Sequence, residues 1–189
     1  MLNSKSISIF TIIVVSYWAT FSAVNLVIFP LQSSFAPDTA KYAALIFLPH
    51  GVRVISTWLY REKALLPLIF AHLLFYRLFY WEGSDPASNM VAALSGSFCA
   101  FLAMQLFDFG KIDISLKNPS VSHWRSIIVL GFVSSIFNSL GNMLALGSSM
   151  SSELHISVWI TCIIGDTLGT VACLLILMLV LRYRRLLSK

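Results

Sequence analysis

Four ionisable side chains sit inside otherwise apolar runs of this sequence: His50 and Arg53, three residues apart, His72, and Asp166 within Gly165-Asp166-Thr167-Leu168-Gly169. An Arg or Asp near the centre of a bilayer costs about 2.5–3.5 kcal/mol on insertion scales. Such residues need partners, and they mark ligand, ion or signal sites unusually often. Arg53 lies eleven residues after Tyr42, and Asp166 twelve after Leu154. At about 1.5 Å of helical rise per residue the two charges are expected at one depth, as a buried ion pair. His50 projects from the same helical face as Arg53. Pro49 and Gly51 predict a break in that helix, which would make Pro49, His50, Gly51 and Arg53 the wall of a polar pocket, with His72 and Asp166 close by. The plainer alternative is that an Arg53–Asp166 pair only pins two helices together.

Other chemistry is weaker. Two mid-span histidines could ligate a haem axially, but hydrogen-bonded core histidines account for His50 and His72 with no cofactor, and none is expected. Cys99, Cys162 and Cys173 lie within apolar runs at spacings of no zinc or redox motif, so no metal is expected either. There is no phosphate loop, no H-E-x-x-H, no pair of intramembrane aspartates and no G-x-S-x-G elbow. An enzyme is not expected.

The elements that must carry these residues follow from composition. Of 189 residues, 58% are hydrophobic and only 11% charged, with mean hydropathy +0.83. Soluble domains carry about 25% charged residues, so a disulfide scaffold, a disordered chain and an ordinary cytosolic enzyme are excluded. The expectation is an all-α fold, a polytopic transmembrane helix bundle forming one domain over 1–189. Six apolar segments are expected to span, at 7–29, 42–60, 64–80, 87–109, 124–146 and 154–181, the first stopping before Pro30. Lys5 precedes an apolar core longer than a signal-peptide h-region, with no clear small-residue cleavage site after it, so the first span is expected to stay uncleaved.

Alternating connections divide the basic residues unevenly. One set holds Lys5, Arg61, Lys63, Lys111, Lys117, Arg125, Arg182, Arg184, Arg185 and Lys189, and the other only Lys41 and Arg77. The positive-inside rule then places both termini in the cytoplasm. The net charge of +5 serves orientation against anionic lipid, and no basic patch interleaves with exposed aromatics, so nucleic acid is not an expected partner. On the fifth span Asn138 and Asn142 are four apart among Ser134, Ser135, Ser139, Gly131 and Gly141, a face expected to pack closely on a neighbouring helix. Gly165 and Gly169 form a G-x-x-x-G that should bring another backbone close to Asp166.

Three segments resemble the bacterial MASE1-type membrane sensor domain: Leu48-Pro49-His50-Gly51-Val52, Leu66-Pro67, and Trp159 to Gly169 (WITCIIGDTLG). In the resemblance Pro49, Gly51, Pro67, Gly165, Asp166 and Gly169 take matching positions. Arg182, Arg184 and Arg185 lie where that family passes to its cytoplasmic output. Leu48 stands where the family has tryptophan, and no proline follows the G-D-x-x-G between Thr170 and Leu175. The family has about eight helices and continues into a kinase or cyclic-dinucleotide enzyme, so output from this chain is expected through a separate protein.

Three readings follow. The first is a sensory or regulatory module of the bacterial inner membrane, with an unidentified small-molecule ligand and a cytoplasmic or membrane signalling partner. The second is the substrate-binding subunit of an energy-coupled importer, for which Ser16, Thr20 and Ala23 would be the small coupling residues of the first helix. The third is a non-catalytic scaffold.

Overall fold

In hydrocarbon every backbone N–H and C=O must find its partner within the protein, which makes helix the default for long apolar runs. The computed structural model describes residues 4–79, 85–114, 123–146 and 151–187, and the regular structure among them is entirely helical. In chain order come α1 (Ser4–Ala23), a π-helical turn (Val24–Ile28), α2 (Phe29–Ser33), α3 (Pro37–Ala40), α4 (Leu48–Tyr60), a 3-10 turn (Arg61–Ala64), α5 (Leu65–Phe79), α6 (Pro86–Phe109), α7 (His123–Leu146) and α8 (Ser152–Leu187). Lys117 and Lys189, two of the basic residues counted for orientation, and the end of the third expected span at residue 80 lie outside the described residues.

Among the described residues four stretches are long and apolar enough to cross a membrane: Ser4–Ser33, Pro86–Phe109, Trp124–Ala145 and Ser152–Leu187. This is a helical membrane protein. α5 matches the third expected span over Leu65–Phe79, whereas the second departs from expectation: helix covers only the 13 residues of α4, about 20 Å against a hydrocarbon thickness of about 30 Å.

The first segment also differs, because helix continues through Pro30. A proline removes an N–H and clashes with the carbonyl four residues back. Here the π turn before it resets the bonding, with Phe29 N donating to Val24 O, and the Asn25 amide donates to Phe21 O at 3.0 Å. Pro49, expected inside a broken helix, stands instead in the first turn of α4, where its missing N–H costs nothing. The break falls earlier, over non-helical Ala43 to Phe47. Gly51, expected to unwind the chain, is helical.

α4 is the central element, in contact with α1, α6, α7 and above all α8, while α6 and α7 pack along their length. Trp58 Nε1 donates to Ile114 O at 2.7 Å, and Arg61 pairs with Asp108, so the ends of α4 and α6 share one face of the bundle. Asp85 caps α6 by accepting from Ser88 N at 2.8 Å, and the Ser88 backbone and hydroxyl bonds hold its carboxyl below the usual range.

Candidate functional site

The non-helical stretch before α4 determines where the polar residues meet. Its backbone groups need partners inside the bundle. Buried Gln32 supplies two, donating from Nε2 to Ala43 O and accepting at Oε1 from Leu45 N, both at 2.8 Å. Phe47 N donates to Gly165 O at 2.8 Å. Contact this close requires glycine on α8. A Cβ added at Gly165 would stand 1.9 Å from Ala44 O, and one at Gly169 2.1 Å from Phe47 O. One turn further, a Cβ at Gly51 would meet Cys173 Cβ at 2.6 Å. The backbone that the G-x-x-x-G receives is thus an irregular segment rather than a helix.

His50, Arg53, His72 and Asp166 are all buried and gather in the middle of the bundle. The expected Arg53–Asp166 ion pair does not form. Asp166 Oδ2 lies 3.3 Å from His50 Nδ1 and accepts from Asn138 Nδ2 at 2.7 Å. The cause is geometric. Non-helical chain advances up to about 3.3 Å per residue, more than twice the helical rise. From Tyr42, His50 can therefore lie up to about 21 Å along the axis, against about 18 Å for Asp166 from Leu154, and Arg53 falls one turn too deep.

His50 Nε2 lies 3.1 Å from Gly131 O, a carbonyl that only accepts, so that nitrogen carries a hydrogen. Nδ1 then stands opposite Asp166 Oδ2 without a hydrogen-bond partner. His72 Nδ1 donates to Leu68 O at 2.7 Å, which leaves Nε2 as an acceptor beside Gly96. Arg53 Nη2 reaches Tyr17 OH at 3.4 Å, and its guanidinium lies 5.8 Å from the Tyr17 ring centre and 5.3 Å from that of Phe47. Its Nε and Nη1 have no hydrogen-bond partner.

A cavity of about 250 Å³ borders this cluster. Arg53 and Asp166 line it together with Asn89, Asn138 and Asn142; Tyr17, Phe21, Phe47 and Phe75 supply aromatic walls, and exposed Lys41 and half-buried Tyr42 also border it. His50 and His72 stand behind the wall. Asn138, expected only to pack, instead holds Asp166 and lines the cavity. Tyr17, Asn89 and Gln32 were not singled out in the sequence as site residues, although each is a polar group with no place in a lipid-facing helix, which is the signal that would have found them. Among the described residues no three His, Cys, Asp or Glu side chains converge as metal ligands. No protein-family model, curated protein or solved structure matches this chain.

Proposed function

We propose that the chain is a sensory or regulatory membrane module: the cavity admits a small molecule, and the α4–α8 contact carries its occupancy to the basic end of α8. One observation carries this reading. The cavity wall combines Arg53 of α4 with Asp166 of α8, and those two helices interlock at Gly51, Cys173 and Gly169 with no room for a methyl group. A ligand that displaced one would therefore move the other, and interfaces this tight rearrange as units instead of deforming smoothly.

The rest of the reading follows from charge and length. Residues 42–60, part irregular and part helix, are long enough to cross as a broken span, and α5 with the residues after it would complete a six-pass bundle. The basic residues at the start of α1, the α4–α5 junction and the end of α8 put both termini in the cytoplasm of a bacterial inner membrane. The resemblance of Leu48–Val52, Leu66-Pro67 and Trp159–Gly169 to the MASE1-type sensor supports a signalling role, with output through a separate protein.

Capture of the protein in nanodiscs from its native cell, with mass spectrometry of what is retained, tests the reading. A kinase or cyclic-dinucleotide enzyme is expected, and Asp166→Asn should alter that enzyme's output at unchanged membrane abundance. Recovery of a transport ATPase, or an Asp166→Asn variant that only loses abundance, would overturn it.

A further inference from the structure

The buried cluster holds a guanidinium with which none of its own side chains forms an ion pair. Arg53 is always protonated, is 4% exposed, and leaves Nε and Nη1 undonated. The carboxylate nearest to hand, Asp166, forms no ion pair with Arg53: its Oδ2 stands 3.3 Å from His50 Nδ1 and accepts from Asn138. His72 is oriented by Leu68 O and adds no negative charge. Tyr17 contributes a single long hydrogen bond and, with Phe47, ring faces. A buried guanidinium in this state calls for an anion. Lys41, on the wall of the same cavity, is exposed and paired with Asp38 at 3.5 Å, so Arg53 is the group that would hold the anion.

We propose that the cavity binds a small organic monocarboxylate, its carboxylate at Arg53 and an aromatic or branched apolar body against Phe21, Phe47 and Phe75; this rests on reading the cavity as a receptor site. The shape narrows the class. About 250 Å³ holds a body on the order of ten non-hydrogen atoms, taking about 20–30 Å³ for each. A halide would leave the aromatic walls unfilled. A dianionic phosphate would bring two negative charges to one buried guanidinium and leave the aromatic walls unfilled. A monocarboxylate matches both the charge and the walls.

The test uses the full chain in nanodiscs of zwitterionic lipid, with empty nanodiscs as the blank, and titrates three probes of one shape: benzoate, benzamide and benzylammonium. Saturable benzoate binding is expected, at least tenfold tighter than benzamide, with no benzylammonium binding. Arg53→Gln should erase that preference. Ala92→Phe, which fills the cavity from α6 and leaves every charge in place, should abolish benzoate binding, and it decides the matter if Arg53→Gln fails to insert. Benzamide or benzylammonium binding as tightly as benzoate would overturn the anion assignment and leave the receptor reading standing. If none of the three binds, the receptor reading falls as well.

Discussion

The α6–α7 pair and the α4–α8 pair are both held by small residues, yet the contacts differ in kind. On α7, a Cβ added at Gly141 would lie 1.4 Å from Ser95 Oγ of α6, which can rotate away, and 2.4 Å from Ser95 Cβ, which the two helices can clear only by separating slightly. On α8, the same addition at Gly165 or Gly169 meets a carbonyl oxygen of the irregular segment before α4. That backbone is fixed by Gln32 and by its bond from Phe47 N to Gly165 O. Glycine in the first pair accommodates two uninterrupted helices. In the second it makes room for chain that is not helix at all, and the candidate site exists only because that chain fits there.

The sharpest way to break this comparison is to add one methyl group to each pair. Gly165→Ala should cost about 3 kcal/mol or more, since neither backbone can yield without losing its hydrogen bonds, whereas Gly141→Ala should cost less, about 1–2 kcal/mol, since Ser95 Oγ can turn away and two uninterrupted helices can separate slightly without losing backbone hydrogen bonds. Unfolding of the two variants in one detergent, followed by loss of helical signal, measures the difference. Equal losses would mean that the α4–α8 contact is no more rigid than an ordinary helix pair.

Gln32 sharpens the same point with a smaller effect. Gln32→Leu keeps the volume but orphans Ala43 O and Leu45 N, each a buried backbone group worth about 1–3 kcal/mol when unsatisfied. A loss of about 2–4 kcal/mol is expected, with faster hydrogen exchange at Leu45 and unchanged exchange along α6. Gln32→Glu keeps the acceptor for Leu45 N and should recover part of that exchange protection. Uniform acceleration across the bundle would show that the irregular segment is not a separate unit.

These two regions also explain what the sequence made legible. The α6, α7 and α8 segments read directly as long helices because continuous hydropathy and helical rise suffice to describe them. His50, Arg53, His72 and Asp166 stood out because charge in hydrocarbon is costly, and the structure does bring all four together. The partnership between them was not legible. Counting depth from Tyr42 assumed helix where Ala43 to Phe47 are not helical, so Arg53 was matched to Asp166 in place of His50. Gln32 and the π turn around Asn25 decide where helix stops and resumes, and both act through hydrogen bonds that no hydropathy pattern encodes.

The smallest effect lies at the far end of the orderly pair. α6 closes with Lys111 N donating to Asp108 O at 3.1 Å and Ile112 N to Phe107 O at 2.9 Å, the two bonds of a Schellman cap. Glycine usually fills the left-handed position of that cap, yet here Lys111 holds it, at φ 56, while Gly110 beside it has φ −74. A non-glycine residue in that conformation is strained by about 1–2 kcal/mol, and glycine gives back roughly 0.5–1 kcal/mol through its freer unfolded chain. Lys111→Gly should therefore stabilise the protein by about 0.5–1 kcal/mol. Gly110→Ala should be close to neutral, because its added Cβ meets nothing nearer than 3.4 Å. A rise in Tm for the first variant alone places the strain at Lys111. The reverse order would mean that α6 ends one residue earlier and that the cap belongs to Gly110.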